Sequence, residues 1–262
     1  MKIKNVIKVM NFHALLRVDS SKKTAEKYFE YEKSITDFMN NILNNKNLIL
    51  DQKVTKLNKN AKPLNIYIGN DLGFCGGFNT NVNSLSSKEK DVDKIIIGKK
   101  ISTNKENILI AMTKEEYLEN SHKIEELIFN SIEKGKNSEI NIVYNHYHNI
   151  SNIEFIKKKV LPIEKNTKEK TKIKYNEDFT IEGSIQKILI NLITLYISYE
   201  IRIATENSYA SENIMRQRIT SDSLKKIDEL EEEKNLQEKK AIKNKEFKKV
   251  VENFVKIRNK ED

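Results

Sequence analysis

The sequence contains few of the residues that build turns, disulfides and metal sites. Its 262 residues include 7 glycines, 2 prolines, one cysteine and no tryptophan. So few turn-forming residues argue against an all-β sandwich or barrel, whose many short strands need frequent turns. The single cysteine, Cys75, excludes an intramolecular disulfide framework and a cysteine-only zinc site, and it is typical of a reducing compartment.

Long apolar runs are also missing. A membrane-spanning helix needs about eighteen or more consecutive apolar residues. The most apolar region, residues 185–203, is interrupted by Gln186, Lys187, Asn191, Glu200 and Arg202. The basic N-terminus has no apolar block of the kind that a secretory signal carries. We therefore expect a cytoplasmic protein.

Charged residues are abundant, with 47 Lys and Arg against 38 Asp and Glu and a net charge of +9. A basic protein binds nucleic acid when its cations form one stripe or patch. Here lysines and acidic residues share the same helical turns, as they do over residues 225–234. That pattern is typical of a solvated helix surface with internal charge pairs, so we expect no nucleic-acid partner.

The N-terminal region carries a seam that recurs in steps of four and three residues, which is the period of a helix paired with another helix. Most positions of the seam are apolar, with a polar interruption from Arg17 to Thr24. The full seam is Ile3, Ile7, Met10, Ala14, Arg17, Ser21, Thr24, Tyr28, Tyr31, Ile35, Phe38 and Ile42. No proline or glycine interrupts the chain before Pro63. The pattern predicts a coiled-coil helix over residues 1–58, and the alternative is a surface helix on a globular domain.

A second long helix is predicted over residues 181–262. Its seam is Ile185, Leu189, Leu192, Tyr196, Tyr199 and Ile203, and further isoleucines beside it predict burial on most sides. Towards the C-terminus the apolar positions become sparse. A helix with so thin a seam needs a partner helix, and we expect the N-terminal helix to pair with it in antiparallel fashion.

The residues between these helices alternate between two periods. Short β-branched runs at 64–68, 94–97, 108–110 and 140–144 predict strands, and residues 115–134 carry a helical face. Residues 157–174 are rich in lysine, and we expect them to form an exposed loop. The sequence therefore predicts an α/β fold in which a Rossmann-like α/β domain, residues 59–180, is inserted between the two helices of a long antiparallel coiled coil.

Little in the sequence indicates catalysis. Residues 69–81 form a glycine-rich segment after the first strand, but they match neither Gly-x-Gly-x-x-Gly nor a P-loop. His146 and His148 could share one side of a strand and bind a metal, and solvated loop histidines are the simpler interpretation. Cys75 could be a nucleophile or a small buried thiol. We predict no catalytic residues, no metal and no cofactor.

Residues 71–79, Asp-Leu-Gly-Phe-Cys-Gly-Gly-Phe-Asn, resemble the Asp-Arg-Gly-Leu-Cys-Gly-Gly-Leu-Asn pattern of the gamma subunit of F-type rotary ATP synthases. Leu72 stands where that family has arginine. Other segments resemble the family in the same order along the whole chain, and they are Lys8-Val9-Met10 with Ala14 and Arg17, residues 142–147 with 160–163, Ala210-Ser211-Glu212-Asn213, and Ile227-Asp228-Glu229-Leu230. The chain is thus similar to a diverged central-stalk rotor, such as the gamma-like subunit of a mollicute F-like ATPase.

The resemblance implies a function without chemistry of its own. A gamma-like rotor turns inside a hexameric ring of alpha-like and beta-like ATPase subunits and couples ATP hydrolysis or synthesis to rotation. It implies a position at the cytoplasmic face of the membrane, held there through the complex, and leaves open an epsilon-like subunit and a membrane ring. Two other functions stay open, namely a non-rotating coiled-coil scaffold of an F-like ATPase and a nucleotide-dependent enzyme that uses the glycine segment.

The resemblance also assigns residues. It implies subunit contacts at Met10, Ala14, Arg17, Glu238, Lys239 and Ile242, and a structural loop with Gly73, Gly76, Gly77 and Asn79. Glu238 and Lys239 stand where the family has an Arg-Gln pair, so we expect the first of these contacts to differ in charge. The N-terminal helix begins close to Lys8-Val9-Met10, about four turns short of the family's usual length. Residues 258–262 are almost all charged, and we expect a weaker bearing there.

Overall fold

The computed structural model describes residues 2–44, 58, 60–102, 104, 106–163 and 183–258. Within these ranges the elements are α1 (Lys2–Asn44), β1 (Lys62–Ile68), α2 (Thr80–Lys88), β2 (Asp93–Ile97), β3 (Ile108–Met112), α3 (Lys114–Glu119), α4 (Ser121–Glu133), β4 (Asn137–Tyr147), β5 (Ile153–Leu161) and α5 (Ile185–Arg258). The chain divides into two compact units, one formed by Met1–His13 with Gln217–Asp262 and the other by Ala14–Arg216. The predicted domain boundaries, at residues 58–59 and 180–181, lie at or beside residues outside the described ranges.

The five strands form one sheet in the order β3-β2-β1-β4-β5. All neighbours are parallel except β4 and β5, which pair antiparallel. The order reverses between β1 and β4, as in doubly wound α/β folds. The predicted Rossmann-like α/β domain with a mostly parallel sheet is confirmed.

Strand β5 corrects the expectation of an exposed loop from residue 157. Its three consecutive lysines are each paired with an acidic residue: Lys157 with Glu89 at 2.7 Å, Lys158 with Glu200 at 2.6 Å, and Lys159 with Glu139 at 2.6 Å. An edge strand tolerates such charges because one of its sides has no neighbouring strand. Residues 164–174 of the predicted loop lie outside the described residues.

The helical face predicted over residues 115–134 forms two helices instead of one. Asn120 leaves helical geometry, with φ −124° and ψ 34°, and it ends α3 and begins α4. Thr113 caps α3 through a reciprocal bond with Glu116. Asparagine favours such breaks because its short amide competes with the helix for backbone hydrogen bonds.

The main core of the second unit lies on one face of the sheet. Side chains of α1, α3, α4 and α5 pack there on the strand residues Leu64, Ile66, Ile68, Ile95, Ile97, Ile140 and Ile142. The opposite face carries a smaller cluster of Tyr67, Val82 and Val143, to which α2 contributes. The two clusters reflect the alternation of β1, where successive side chains point to opposite faces.

The buried face of α1 differs from the predicted seam at four of the predicted positions. Ile7, Ala14, Ser21, Tyr28 and Ile35 are buried or half-buried as predicted. The other buried or half-buried positions include Lys4, Asn11, Val18, Ala25, Glu32 and Met39. Of the predicted alternate positions, Ile3, Arg17, Tyr31 and Phe38 are exposed, whereas Met10 and Thr24 are half-buried. Ile3, Tyr31 and Phe38 are 73%, 44% and 49% exposed. Polar side chains such as Lys4 and Asn11 occupy the seam because they pair with α5, so a count of large apolar residues gives the wrong register.

In the first unit, polar side chains of α1 find partners on α5. The Asn11 amide nitrogen lies 2.9 Å from Thr220 Oγ1 and 2.8 Å from Ser221 Oγ. Lys4 Nζ lies 2.6 Å from both Asp228 and Glu231. The earlier residue of α1, Lys4, thus contacts later residues of α5 than Asn11 does, so the helices are antiparallel, as predicted.

In the second unit the same two helices meet through aromatic side chains. The rings of Tyr28 and Tyr31 lie 6.1 Å and 5.7 Å from the ring of Tyr199. The Arg202 guanidinium lies 5.7 Å from the Tyr28 ring centre. Tyr28 thus reaches as far along α5 as Arg202, whereas the later residue Tyr31 contacts Tyr199, so the pairing is antiparallel here too.

Helix α5 changes character along its 74 residues. From Leu189 to Arg216 most side chains are buried, whereas every side chain from Asp228 to Asn253 is exposed. Among the described residues, α5 alone contains a stretch long and apolar enough to cross a membrane by length and composition, and half of that stretch is buried within the protein. Ile193, Ile197 and Ile201 of this stretch pack in the sheet core.

Glu32 is a charged residue at a seam position, and its removal is expected to stabilise the fold. Burial and the nearby Glu200 carboxylate raise the pKa of Glu32, although Thr36 donates a 3.0 Å hydrogen bond to it. A raised pKa in the folded state means that the fold loses stability as the pH rises through that pKa. Glu32→Gln keeps the acceptor for Thr36 and should raise the free energy of unfolding at pH 7 by up to about 1 kcal/mol.

Urea unfolding at pH 4 and pH 7 measures this effect. The gain should be larger at pH 7, where Glu32 is ionised in the parent protein. Glu30→Gln, on the exposed side of the same helix, is the matched control and should change little. An equal gain at both pH values would contradict the electrostatic explanation.

Candidate functional site

The glycine segment after β1 is held at the carboxyl edge of the sheet by Asp71. One carboxylate oxygen of Asp71 accepts a 2.7 Å hydrogen bond from the Lys99 backbone N–H, and the other accepts a 2.9 Å bond from the Lys114 N–H. Lys99 follows β2 and Lys114 follows β3. A single side chain therefore ties together the ends of three parallel strands.

Two asparagines close the base of this segment, residues 69–79, which we call the glycine loop. Asn79 Nδ2 donates to Asn70 Oδ1 at 2.6 Å, and the Asn70 N–H donates to Asn79 Oδ1 at 3.3 Å. A Cβ on Gly69 would lie 2.8 Å from that same Asn79 oxygen, so only glycine fits beside the pair. The loop is thus closed by its own side chains.

The predicted structural residues of this loop play different parts. Gly76 has φ +55°, a left-handed conformation that favours glycine. A Cβ on Gly77 would meet Thr80 Oγ1 at 2.9 Å, whereas a Cβ on Gly73 would meet nothing within 4 Å. Asn79 precedes α2 without capping it through its side chain and bonds to Asn70 instead.

Arg216 of α5 reaches into the middle of the loop. Its Nε donates to the Gly73 carbonyl at 3.3 Å, and its Nη2 lies 3.3 Å from Cys75 Sγ. The same guanidinium forms an ion pair with Glu212, one turn earlier on α5, and donates to Asn213 Oδ1 at 2.8 Å. Arg216 and Glu212 are each 4% exposed, so the charges neutralise each other inside the protein.

Burial dominates the electrostatics of this cluster. It raises the pKa of Glu212 even though Arg216 opposes the shift, and it raises the pKa of the Cys75 thiol to about 11. Cys75 is therefore a thiol and not a thiolate at neutral pH, which disfavours the nucleophile interpretation. Burial also lowers the pKa of Lys114, whose Nζ lies 3.1 Å from Glu206 and 3.5 Å from the Tyr209 ring centre.

A second connection joins α5 to the other side of the point where the strand order reverses. Ser211 Oγ donates to the Asn145 carbonyl of β4 at 3.1 Å, and Asn145 Nδ2 donates to the Phe78 carbonyl of the loop at 2.9 Å. The segments that resemble the gamma subunit at residues 71–79, 142–147 and 210–213 thus meet at one place. We call this set of contacts, together with Arg216 and Glu212, the α5 junction.

The α5 junction occupies the position where doubly wound folds bind nucleotides. Ligands in such folds lie beyond the carboxyl ends of the strands at the reversal of strand order. Here Arg216 contacts the loop after β1, and Ser211 contacts β4. Side chains of α5 thus bind both sides of this position, which favours a mechanical connection over the nucleotide-dependent enzyme.

Two large apolar side chains point outwards from the same loop. Leu72 is 53% exposed and Phe74 is 65% exposed. Phe74 has φ +61°, which is uncommon for a residue other than glycine and costs conformational energy. The loop is therefore held on its inner side and displays an apolar pair on its outer side.

The residues to which the resemblance assigns subunit contacts differ in exposure. Met10 is half-buried, Ala14 is 1% exposed and Arg17 is exposed. Glu238, Lys239 and Ile242 all lie in the exposed stretch of α5. Glu238 has Lys234 of its own helix at 3.9 Å. These contact roles remain predictions.

The histidine pair lies on β4 and just after it. The rings of His146 and His148 are 4.6 Å apart, and His148 Nε2 lies 2.7 Å from Glu154. His146 is half-buried within the strand, so the expectation of two solvated loop histidines is correct only for the exposed His148. Within the described ranges, no group of three or more His, Cys, Asp or Glu side chains is arranged to hold a metal.

The sequence predictions do not include Arg216 or the binding role of Asp71. A local signal for Arg216 exists, because Glu212 and Arg216 are four residues apart and therefore lie on one face of a helix. The loop partners of Arg216, Gly73 and Cys75, are 143 and 141 positions away in the sequence, so no local pattern indicates them.

Comparisons with known proteins agree with this geometry. A family model described as ATP synthase matches residues 1–244. The chain is 25% identical over 243 residues to the ATP synthase gamma chain of Clostridium perfringens, covering 87% of this chain and 84% of that one. It is 26% identical over 200 residues to the ATP synthase gamma chain of Mycoplasmoides gallisepticum, covering 70% and 69%.

Solved structures share the fold. A structure of the central stalk and c-ring of the Tetrahymena thermophila mitochondrial ATP synthase matches with a TM-score of 0.60 at 15% identity, covering 83% of this chain and 99% of that chain. A structure of the Euglena gracilis mitochondrial ATP synthase matches with a TM-score of 0.52 at 13% identity, covering 92% and 94%. The family model covers most of the chain and the relatives are gamma chains, so this chain belongs to the gamma-chain family of ATP synthases.

Proposed function

We propose that the chain is the central-stalk rotor of a rotary F-type ATPase, which couples ATP hydrolysis or synthesis in a surrounding ring to rotation. Membership of the gamma-chain family supports this function. The observation that carries it is the α5 junction, because α5 both pairs antiparallel with α1 and is fixed to the α/β domain by buried polar contacts. An axle that transmits torque needs such a fixed attachment.

The proposed mechanism uses no catalytic group of this chain. A pair of helices presents different side chains on its different sides, so each ring subunit around it meets a different surface. A rotor in one orientation thereby favours one conformation in each subunit, and turning the rotor shifts those preferences in sequence. ATP chemistry stays in the ring.

The proposed partners are alpha-like and beta-like ATPase subunits arranged as a hexameric ring. Exposed apolar side chains on α1 support a docking role, and they include Ile3, Val6, Val9 and Phe12, each more than half exposed. Leu72 and Phe74 of the glycine loop form a second such surface. We propose ring contacts at these side chains as well as at Met10, Arg17, Glu238, Lys239 and Ile242.

Ala14 is proposed to act differently from the other predicted contact residues. Its side chain is 1% exposed, so it supports the contact surface by packing inside the chain. We further propose an epsilon-like subunit and a membrane ring as additional partners. The complex would then hold the chain at the cytoplasmic face of the membrane.

Co-purification with catalytic activity tests the function. The isolated chain should hydrolyse no ATP, and a complex that contains it together with alpha-like and beta-like subunits should do so. Turnover by the isolated chain at the rate of the complex would contradict the proposal. The proposal would also be contradicted if no ring subunit co-purified with the chain.

A reversible cross-link distinguishes a rotor from a non-rotating scaffold. Lys239→Cys places an exposed thiol on α5, and the native Cys75 is buried and so leaves the reaction specific. A disulfide between position 239 and a cysteine in one catalytic subunit should stop turnover, and its reduction should restore turnover in the same sample. Unchanged turnover in the cross-linked complex would favour the scaffold.

A further inference from the structure

The glycine loop has an inner side that is bonded to α5 and an outer side that is apolar and exposed. On the inner side, the Gly73 carbonyl and Cys75 Sγ each lie 3.3 Å from the Arg216 guanidinium. On the outer side, Leu72 and Phe74 alternate with these two residues along the chain and are more than half exposed. The contacts of Gly73 and Cys75 with Arg216 therefore determine the direction in which Leu72 and Phe74 point.

We infer that Arg216 is a positioning residue that fixes the Leu72–Phe74 pair in one orientation relative to α5, so that a load on this pair from the surrounding ring passes to the helix. This inference rests on the proposed rotor function. Arg216 itself is 4% exposed and cannot touch the ring. It acts through the loop.

The chemistry of the guanidinium suits this task. Its charge is balanced by Glu212 on the same helix, so the remaining N–H groups are available to bind the loop without leaving a net buried charge. The planar guanidinium presents several donors in a fixed arrangement, which lysine cannot reproduce. Arg216 can thus bond to Glu212, Asn213 and the loop at once.

The loop also needs an external hold. Phe74 adopts φ +61°, a conformation that persists only where surrounding contacts enforce it. Asn70 and Asn79 close the base of the loop, and Arg216 binds on both sides of Phe74, at Gly73 and Cys75. Loss of the Arg216 contacts should let the middle of the loop relax while its base stays closed.

Arg216→Lys tests the inference, because lysine keeps the positive charge beside Glu212 and loses the fork that holds the loop. It is compared with the pair Leu72→Ala and Phe74→Ala, with the combination of all three changes, and with Arg202→Lys as a matched control. Arg202 lies on the same helix and donates to Ser121 Oγ at 2.9 Å, away from the loop. Each chain is assembled with its ring, and ATPase turnover and the amount of chain in the complex are measured.

Arg216→Lys and the loop pair should each lower turnover of the assembled complex by about fivefold, and their combination should lower it by the same factor, since one acts through the other. Arg202→Lys should leave turnover unchanged. The inference would be overturned if the combined variant lost turnover by the product of the two separate factors. Full turnover with Arg216→Lys would overturn it as well. The parent complex separates the two proposals, because its failure to assemble or to hydrolyse ATP would overturn the rotor function as well.

A second variant guards against misfolding. Replacing Glu212 by Leu together with Arg216 by Met removes the buried ion pair and the hold on the loop, and similar replacements are often tolerated. It should show the same loss of turnover. In the unassembled chain, hydrogen exchange at amides 72–76 in the middle of the loop should become faster in both Arg216 variants and stay unchanged in Arg202→Lys. Unchanged exchange at these amides would also overturn the inference.

Discussion

Replacing Arg216 by alanine is expected to lower the free energy of unfolding by about 3–5 kcal/mol, because the change leaves a buried carboxylate without its ion-pair partner. Glu212 is 4% exposed, so its carboxylate would remain buried without an ion-pair partner. The Gly73 carbonyl loses a hydrogen bond at the same time. Urea unfolding followed by circular dichroism measures the loss.

The deficit of Arg216→Ala should depend on pH. Burial already raises the pKa of Glu212, and Arg216 is the neighbour that most strongly lowers it. Without Arg216 the pKa in the folded state rises further above the value in the unfolded state. A group with a raised pKa destabilises the fold as the pH rises, so the deficit should be larger at pH 8 than at pH 5.

The double variant with Leu at 212 and Met at 216 is the control, since it removes both charges and leaves none unpaired. It should be no more than about 1–2 kcal/mol less stable than the parent chain. If the double variant were as unstable as Arg216→Ala, lost packing and not the unpaired charge would be the cause. If Arg216→Ala lost the same free energy of unfolding at pH 5 and pH 8, lost packing would again be the cause.

The overall fold could be predicted from periodicity because each element carries a local signal. Four of the five strands contain a run rich in β-branched residues, and the two long helices carry apolar residues in steps of three and four. Strand β5 was missed because Lys157, Lys158 and Lys159 look like a solvated segment. Their acidic partners come from α2, α5 and β4 or the residues beside them, which no local pattern reveals.

The register of α1 failed for a related reason. Hydrophobicity favours Ile3 and Phe38 as seam residues, but both are exposed. The seam instead includes Lys4 and Asn11, whose polar groups are bonded to α5. The balance between burying an apolar side chain and pairing a polar one depends on the partner helix, and a single helix sequence does not contain that information.

Part of the candidate site carries a local sequence signal. The glycine loop was identified as structural, and the positive φ of Gly76 and the close approach of Gly77 to Thr80 give that role a physical basis. The α5 junction was not predicted, although the resemblance pointed to its segments one by one. Residues 204–216 read as a mixture of small and polar side chains. Their burial becomes understandable only once Asn145 and the loop supply partners.

The second large effect concerns the two ends of α5. Ile201 is fully buried in the sheet core, so Ile201→Ala should lower the free energy of unfolding by about 2–5 kcal/mol through lost burial and the cavity left behind. Leu236 on the same helix is 58% exposed, and Leu236→Ala should change the free energy of unfolding by no more than about 0.5 kcal/mol. Urea unfolding of the isolated chain measures both.

The contrast matters because both residues belong to one unbroken helix. If α5 were stabilised mainly by its own helical propensity, the two substitutions would have similar effects, since alanine favours helix at either position. If packing against the sheet and α1 stabilises it, only Ile201→Ala is costly. A large loss for Leu236→Ala in the isolated chain would mean that residues 228–253 are covered by a contact that the described structure lacks. A loss that appears only after assembly with the ring would instead mark Leu236 as part of the rotor's contact surface.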